Sequence, residues 1–295
     1  MNYFKSIDTG VKYMIIASFL FAIMGAFAKL ASEHMSSLEV VFFRNIFGVI
    51  IISYALYKKP MTQKGGKPWL LLFRGTMGFL ALLAFFYNIA NIPLGDAITW
   101  SKTSPIFTAI FAWMFLQERL SVKAWGAVAL GFVGIVLITQ PSGMGFSKYD
   151  ILGLFSGVGA ALAYTSIREL KNYYDTRAIV LSFMGVGTIG PIILFGMSEF
   201  YYIPSLDFLL GEFVMPKGII WVYLVGMGLL ATASQMLMTK AYSHTKAGIV
   251  GAVSYTNIIF AVLVGTMLGD ALPTLVTTGG IILIIIAGIL VAKAK

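Results

Sequence analysis

Apolar residues run along this chain in ten long stretches, at about 11–31, 38–57, 69–90, 94–116, 123–140, 149–170, 177–198, 218–241, 246–268 and 273–292. Short clusters of charge and turn formers divide them. Each stretch is close to the ~20 residues an α-helix needs to cross a ~30 Å hydrocarbon layer, so the pattern predicts ten membrane-spanning helices. The breaks have plain causes: Lys58-Lys59-Pro60 and Lys64-Gly65-Gly66-Lys67-Pro68 end the second stretch, and Ile92-Pro93-Leu94-Gly95-Asp96 parts the third from the fourth. No small-residue cleavage site follows the first stretch, which therefore reads as a retained helix and not a secretion signal.

Composition agrees. The 295 residues are 59% hydrophobic and 11% charged, against about 45–50% and about 25% in a soluble domain. Ten spans use roughly 200 residues and leave no room for a catalytic domain outside the membrane. With no cysteine and only His34 and His244, neither a metal centre nor a cofactor is expected. The net charge of +9 lies mainly in short loops, which excludes a nucleic-acid face. The expected partners are the lipid bilayer and a small-molecule substrate.

The charge also gives an orientation. Fifteen Lys and Arg fall on the side of the N-terminus, and only Lys29, Lys148 and Lys217 on the other; Arg44, Arg74 and Lys102 lie within spans. The positive-inside rule then places both termini in the cytoplasm and the chain in the cytoplasmic (inner) membrane. The longest external loop, about 199–217, carries Glu199, Asp207 and Glu212 and is a candidate for a short surface helix.

The two halves echo each other. Ser18-Phe19-Leu20-Phe21-Ala22 in span one matches Ser156-Gly157-Val158-Gly159-Ala160 in span six, and Leu116-Gln117-Glu118-Arg119-Leu120 matches Leu268-Gly269-Asp270-Ala271-Leu272. Five spans per half is an odd number, so the second copy enters the bilayer upside down, the arrangement that lets one central site face either side in turn.

Several runs carry a family likeness: Phe42-Phe43-Arg44, Arg74-Gly75, Ala84-Phe85-Phe86-Tyr87-Asn88-Ile89-Ala90, Ile92-Pro93-Leu94-Gly95-Asp96-Ala97, Thr103-Ser104-Pro105 and Leu116-Gln117-Glu118-Arg119-Leu120. Together they resemble the EamA repeat of the drug/metabolite transporter superfamily, over 12–140 and, more loosely, over 149–292. The second copy has Ser182 where the first has Arg44, and Asp270 for Glu118. The resemblance implies an all-α membrane protein of ten transmembrane helices, arranged as two inverted five-helix EamA repeats, performing secondary transport of small metabolites. The runs around Arg74 and Ser104-Pro105 are most similar to the branch of S-adenosylmethionine carriers.

Ionisable groups inside a span cost about 2.5–3.5 kcal/mol by insertion scales and mark function. Lys102 stands near mid-depth beside Thr99, Trp100, Ser101, Thr103, Ser104 and Pro105. Pro105 cannot donate to the Ser101 carbonyl and is expected to open the helix there. Arg44 is expected at a similar depth, where it offers a bidentate fork for a carboxylate or phosphate. Arg74, five residues past Trp69, is expected to reach the cytoplasmic interface as a gate or structural charge. Span nine answers with Ser254-Tyr255-Thr256-Asn257 but lacks the helix-opening proline; Thr232, Ser234 and Gln235 in span eight and Tyr164 in span six stand nearby. The expected substrate-binding set is Arg44, Trp100, Lys102, Ser104, Tyr164, Gln235, Tyr255 and Asn257. No Asp or Glu is expected at mid-depth, so the pocket suits an anionic or zwitterionic, carboxylate-bearing solute such as an amino acid or an S-adenosylmethionine-like molecule. Spans five and ten, nearly free of polar groups, are the candidate face of a homodimer.

Two other readings compete. A lipid head-group scramblase or carrier of the same fold would turn Lys102 and Arg44 toward lipid phosphate. A membrane-embedded lipid enzyme would need an acidic metal motif, an HExxH pair or a nucleophile with its base, and the sequence holds none; no enzyme is expected.

Overall fold

The computed structural model describes residues 8–61, 65–91, 100–117, 120–139, 147–198, 200, 209, 213–267 and 274–293. These form eleven helices, with no strand among the described residues: α1 (Thr9–Ser32), α2 (Ser37–Lys58), α3 (Pro68–Asn91), α4 (Ser104–Leu116), α5 (Val122–Thr139), α6 (Lys148–Leu170), α7 (Thr176–Ser198), α8 (Ile220–His244), α9 (Ala247–Val253), α10 (Thr256–Met267) and α11 (Leu275–Lys293). Seven stretches, with Ala247–Met267 taken as one, are long and apolar enough to cross a membrane; Ser104–Leu116, Val122–Leu137 and Leu275–Leu290 are shorter apolar helices. The chain is an all-helical, multi-pass membrane protein. Large apolar side chains such as Ile50, Ile189, Val222, Leu263 and Ile285 stand exposed on helix faces, as a lipid solvent allows and water does not. The runs 92–99, 118–119 and 268–272, and all of the 199–217 loop except 200, 209 and 213–217, lie outside the described residues.

Helix starts follow local chemistry. Ser36 caps α2 by accepting from Glu39 N at 3.3 Å while the Glu39 carboxylate accepts from Ser36 N at 2.9 Å. Ser147 and Asp150 repeat this reciprocal box on α6. Glu39 is fully committed, since its other oxygen accepts from Val214 N at 2.8 Å.

The packing pairs spans from opposite halves of the chain. The α1 helix lies along α8, α3 along α6, α2 on α7, and α5 on α11; α3 also meets α7 as α2 meets α8, α4 meets α6 as α1 meets α10, and α9 rests on α4. Glycines allow the close approaches. A Cβ on Gly153 or Gly157 of α6 would strike Trp100 or Thr103, and one on Gly187 of α7 would come 2.5 Å from Asn45 Nδ2.

Contacts sort into two ends. One end joins Lys67 to Glu169 at the end of α6, Arg177 to Ala55 and Lys59 at the end of α2, and Lys171 to Ser243 near the end of α8, and is called the basic end below. The other, distal end joins the start of α2 to Phe86 and Val214, and Asn88 to the Tyr149 carbonyl.

Span nine departs from expectation. It breaks at Ser254-Tyr255 although no proline is there, just as span four breaks at Lys102-Thr103. Both breaks share one pattern of bonds. Thr103 Oγ1 donates to the Trp100 carbonyl at 2.7 Å, and Ser254 Oγ and Thr256 Oγ1 donate to the carbonyls of Gly251 and Val253 at 2.6 and 2.8 Å. The backbone meanwhile tightens to three-residue bonds: Thr103 N to Trp100 O, Ile106 N to Thr103 O, Tyr255 N to Ala252 O, Asn257 N to Ser254 O. Hydroxyls that bond the backbone of the preceding turn compete with the helix ladder.

Candidate functional site

A cavity of about 1080 Å³ occupies the middle of the bundle, slightly beyond the ~300–1,000 Å³ usual for small-molecule sites. At the distal end it is lined by Lys29, Glu33, Ser36 and Asn91; at its deep end it reaches Arg74, Met238 and Tyr242. Below that, Val11, Met14, Leu170, Tyr242, Ala247 and Val250 belong to one apolar cluster. Glu33, at the mouth, is the one acidic residue in the lining among the described residues.

Both broken spans bring chemistry to the wall. Lys102 Nζ donates to Asn257 Oδ1 at 3.1 Å, and Asn257 Nδ2 donates to the Ser18 carbonyl at 2.9 Å. One amide thus ties span four, span nine and α1 together, through the Lys102 side chain at one break and the Ser18 main-chain carbonyl on α1. Ser101, Ser104 and Ser254 line the cavity beside them.

The second group of cations sits on α2 and α3. Arg44 Nη1 donates to Asn45 Oδ1 at 3.1 Å, and Asn45 is fixed by donating to the carbonyls of Val41 and Gly187 at 2.8 and 3.3 Å. Arg44 and Arg74 share one aromatic partner, their guanidinium carbons standing 5.5 and 4.8 Å from the centroid of Phe183. Arg74 is 1% exposed, and all three of its guanidinium nitrogens are buried without a hydrogen-bond partner. Arg74 therefore does not reach the interface as the sequence suggested; its side chain points into the bundle and stacks on Phe183. Gly78 makes that possible, since a Cβ there would come 2.5 Å from Arg74 Nη1.

Six of the eight residues expected to bind substrate line this cavity: Arg44, Lys102, Ser104, Tyr164, Gln235 and Asn257. Trp100 and Tyr255 are not in the lining. Trp100 packs on Gly153 of α6, and Tyr255 fills the space over Gly131 of α5 beside Ile135, Ile258 and Ile284. Span breaks turn consecutive residues to different sides, so depth alone overstates the wall. Thr232 and Ser234 bond carbonyls of their own helix at 2.7 Å, which leaves Gln235 as the polar wall group of α8. Phe183 and Tyr242 line the cavity and were not expected. Tyr242 had a signal: Gln235, Met238 and Tyr242 fall on one helical face. Phe183 had none, for an apolar ring inside a span reads as packing.

The basic end is closed. Tyr164 stacks on Tyr242, with centroids 5.1 Å apart. Beyond them Lys67 pairs with Glu169 at 2.6 Å, and that bond holds the Lys67 ammonium above its ordinary pKa. Arg177 grips Asp175 and donates to the carbonyls of Ala55 and Lys59 at 3.0 and 2.8 Å, capping the end of α2. The same grip holds the Asp175 carboxyl below the usual carboxylate range.

The chain is similar to known proteins. Residues 8–140 match the EamA-like transporter family. An uncharacterized transporter of Helicobacter pylori is 36% identical over 96% of this chain and 94% of its own length. A pseudopaline exporter of Pseudomonas aeruginosa is 33% identical over 98% of both. An S-adenosylmethionine uptake transporter of Rickettsia felis is 21% identical over 99% of this chain and 95% of its own. One crystal structure superposes with a TM-score of 0.75 at 16% identity, covering 96% of each chain, and so shares the fold. The class is therefore a membrane transporter and not an enzyme. The chain belongs to the EamA-like transporter family.

Proposed function

We propose that the chain is a secondary transporter that moves a small, carboxylate-bearing anionic or zwitterionic metabolite across the cytoplasmic membrane by alternating access. The observation that carries this reading is the charge of the central cavity: among the described residues Lys29, Arg44, Arg74 and Lys102 line it, against Glu33 at the mouth as the one acidic residue. Arg44, Lys102, Ser104, Tyr164, Gln235 and Asn257 form the solute site, with Arg74 at its base.

Support for two inverted repeats, over 12–140 and 149–292, comes from the pairing of spans. Exchanging every span with the one five places later carries the one–eight contact onto six–three, three–seven onto eight–two, and four–six onto nine–one. The two–seven, four–nine and five–ten contacts map onto themselves. The breaks at Lys102-Thr103 and Ser254-Tyr255 stand at the same distance before Leu116 and Leu268. Two copies with an odd number of crossings are related by an axis in the membrane plane, and rocking one against the other moves the opening from side to side. With the basic end cytoplasmic, the cavity faces outward here, and the Tyr164–Tyr242 stack and the Lys67–Glu169 pair form the inner closure. One relative is named for export and another for uptake, which suits a mechanism whose direction follows the gradients.

The test is a thermal-shift panel of metabolites on the purified protein, followed by counterflow of the hit in proteoliposomes. A ligand that binds only the folded state raises its melting temperature. Stabilisation by carboxylate-bearing solutes is expected, with flux that falls in Lys102→Ala. Flux undiminished in both Lys102→Ala and Arg44→Ala, or stabilisation by lipophilic cations alone, overturns the reading.

A further inference from the structure

The cavity wall carries a one-sided set of unsatisfied groups. Among the described lining residues, the buried side-chain atoms without a hydrogen-bond partner are Arg44 Nε, the three guanidinium nitrogens of Arg74 and Gln235 Nε2. Every one is a donor. Buried hydroxyls without a partner also exist, on Ser18, Thr108, Thr165, Thr239 and Tyr255, but none of these residues lines the cavity. The wall thus calls for acceptors, and for many of them. These nitrogens carry about eight N–H groups, whereas one carboxylate offers about four lone-pair positions.

Charge leads to the same place. Lys29 lines the mouth, as does Glu33, and deeper in stand Arg44, Arg74 and Lys102. A solute with one carboxylate leaves two of these three deep cations uncompensated in a low-dielectric site, and an unpaired buried charge is strongly unfavourable. The cations also form two separate groups. Arg44 and Arg74 flank Phe183 between α2, α3 and α7, while Lys102 is held by Asn257 at the broken spans beside α1. A guanidinium fork suits the two oxygens of a carboxylate, and an ammonium suits a single anionic group as a point charge.

We infer that the transported solute carries at least two carboxylates, one gripped by Arg74, Gln235 and Arg44 around Phe183 and the other by Lys102. The inference rests on the transport reading above and narrows its substrate to di- and tricarboxylates, with Arg74 a binding residue and not a gate.

The experiment measures binding to the full-length protein in detergent by calorimetry and thermal shift, with glutarate and citrate against butyrate, and with inorganic phosphate and pyrophosphate as a second anion source. Glutarate or citrate is expected to bind at least about tenfold more tightly than butyrate, since one charge-assisted hydrogen bond contributes a decade or more. Arg74→Gln is expected to abolish that preference and, without ligand, to melt at a higher temperature than the parent, because it removes a buried charge whose contact with the Phe183 ring leaves all its N–H groups unbonded. Equal binding of butyrate and glutarate, both lost in Lys102→Ala, overturns the two-carboxylate inference and leaves the transporter reading standing. A response to pyrophosphate alone overturns the carboxylate assignment. A lower melting temperature in unliganded Arg74→Gln marks the residue as structural and overturns its role. No response to any carboxylate by the folded protein overturns both readings.

Discussion

Spans four and nine break in the same way and carry different cargo. Each has a two-residue turn, at Lys102-Thr103 and Ser254-Tyr255, each tightens to three-residue backbone bonds, and each uses a hydroxyl that bonds a carbonyl one turn back. Yet one turn presents an ammonium and the other a serine, and the residue after the turn and one more is Pro105 in the first and Asn257 in the second. The shape is duplicated and the chemistry is divided: one copy supplies the cation, the other the amide that holds it at 3.1 Å. A pocket between two similar halves needs matching backbones to rock, but its solute is asymmetric, and the side chains differ accordingly.

The largest effect should come from removing the unequal member. Lys102→Ala is expected to raise the half-saturating solute concentration about 10- to 100-fold, the worth of one or two charge-assisted hydrogen bonds. Ser254→Ala, the equivalent position in the other break, should change it less than about threefold. Counterflow in proteoliposomes measures both. Equal losses in the two variants would mean that the breaks share the solute evenly.

Next comes the amide between the breaks. Asn257→Asp pairs a carboxylate with the Lys102 ammonium but loses the donor to the Ser18 carbonyl, so solute affinity should fall about tenfold while the unliganded protein melts less far below the parent than Asn257→Leu does. Asn257→Leu instead leaves the Ser18 carbonyl and Lys102 without partners, at a cost of about 1–3 kcal/mol for each unsatisfied group, and should lower the melting temperature. The larger affinity loss in Asn257→Asp and the larger melting loss in Asn257→Leu separate a solute competitor from a lost brace; melting curves with and without ligand read them directly.

How far the sequence discloses this arrangement depends on the kind of signal. Helix ends follow apolar run length and turn residues, so α2, α3, α6 and α7 begin and end within one residue of the expected 38–57, 69–90, 149–170 and 177–198. Ionisable residues inside spans are equally legible, because their cost in lipid demands a reason, and Arg44 and Lys102 do reach the cavity. Direction around the helix is not legible where the helix is broken. Trp100 and Tyr255 sit at the right depth but turn toward Gly153 and Gly131. Arg74 misled for another reason: its stem is long enough to reach an interface, and only Gly78 and Phe183, on separate elements, make the inward pose available. The break in span nine carries no proline, and hydroxyls bond preceding carbonyls in unbroken helices as well, as Thr232 and Ser234 do in α8, so no residue type marks it.

That point sets the smallest expected effect. If hydroxyl competition shapes both breaks, Pro105 is a convenience in span four. Pro105→Ala restores an N–H that can reach the Ser101 carbonyl, but Thr103 Oγ1 still bonds Trp100 O at 2.7 Å, and Thr103 still packs against Gly157. Thr103→Val keeps the shape and deletes that hydroxyl bond, worth about 0.5–1.5 kcal/mol. The order of loss in transport and in melting temperature should therefore be Thr103→Val first and Pro105→Ala last, with Pro105→Ala within about twofold of the parent in flux. A Pro105→Ala protein that loses more than Thr103→Val would show that the two breaks are held by different forces after all, proline in one and serine in the other.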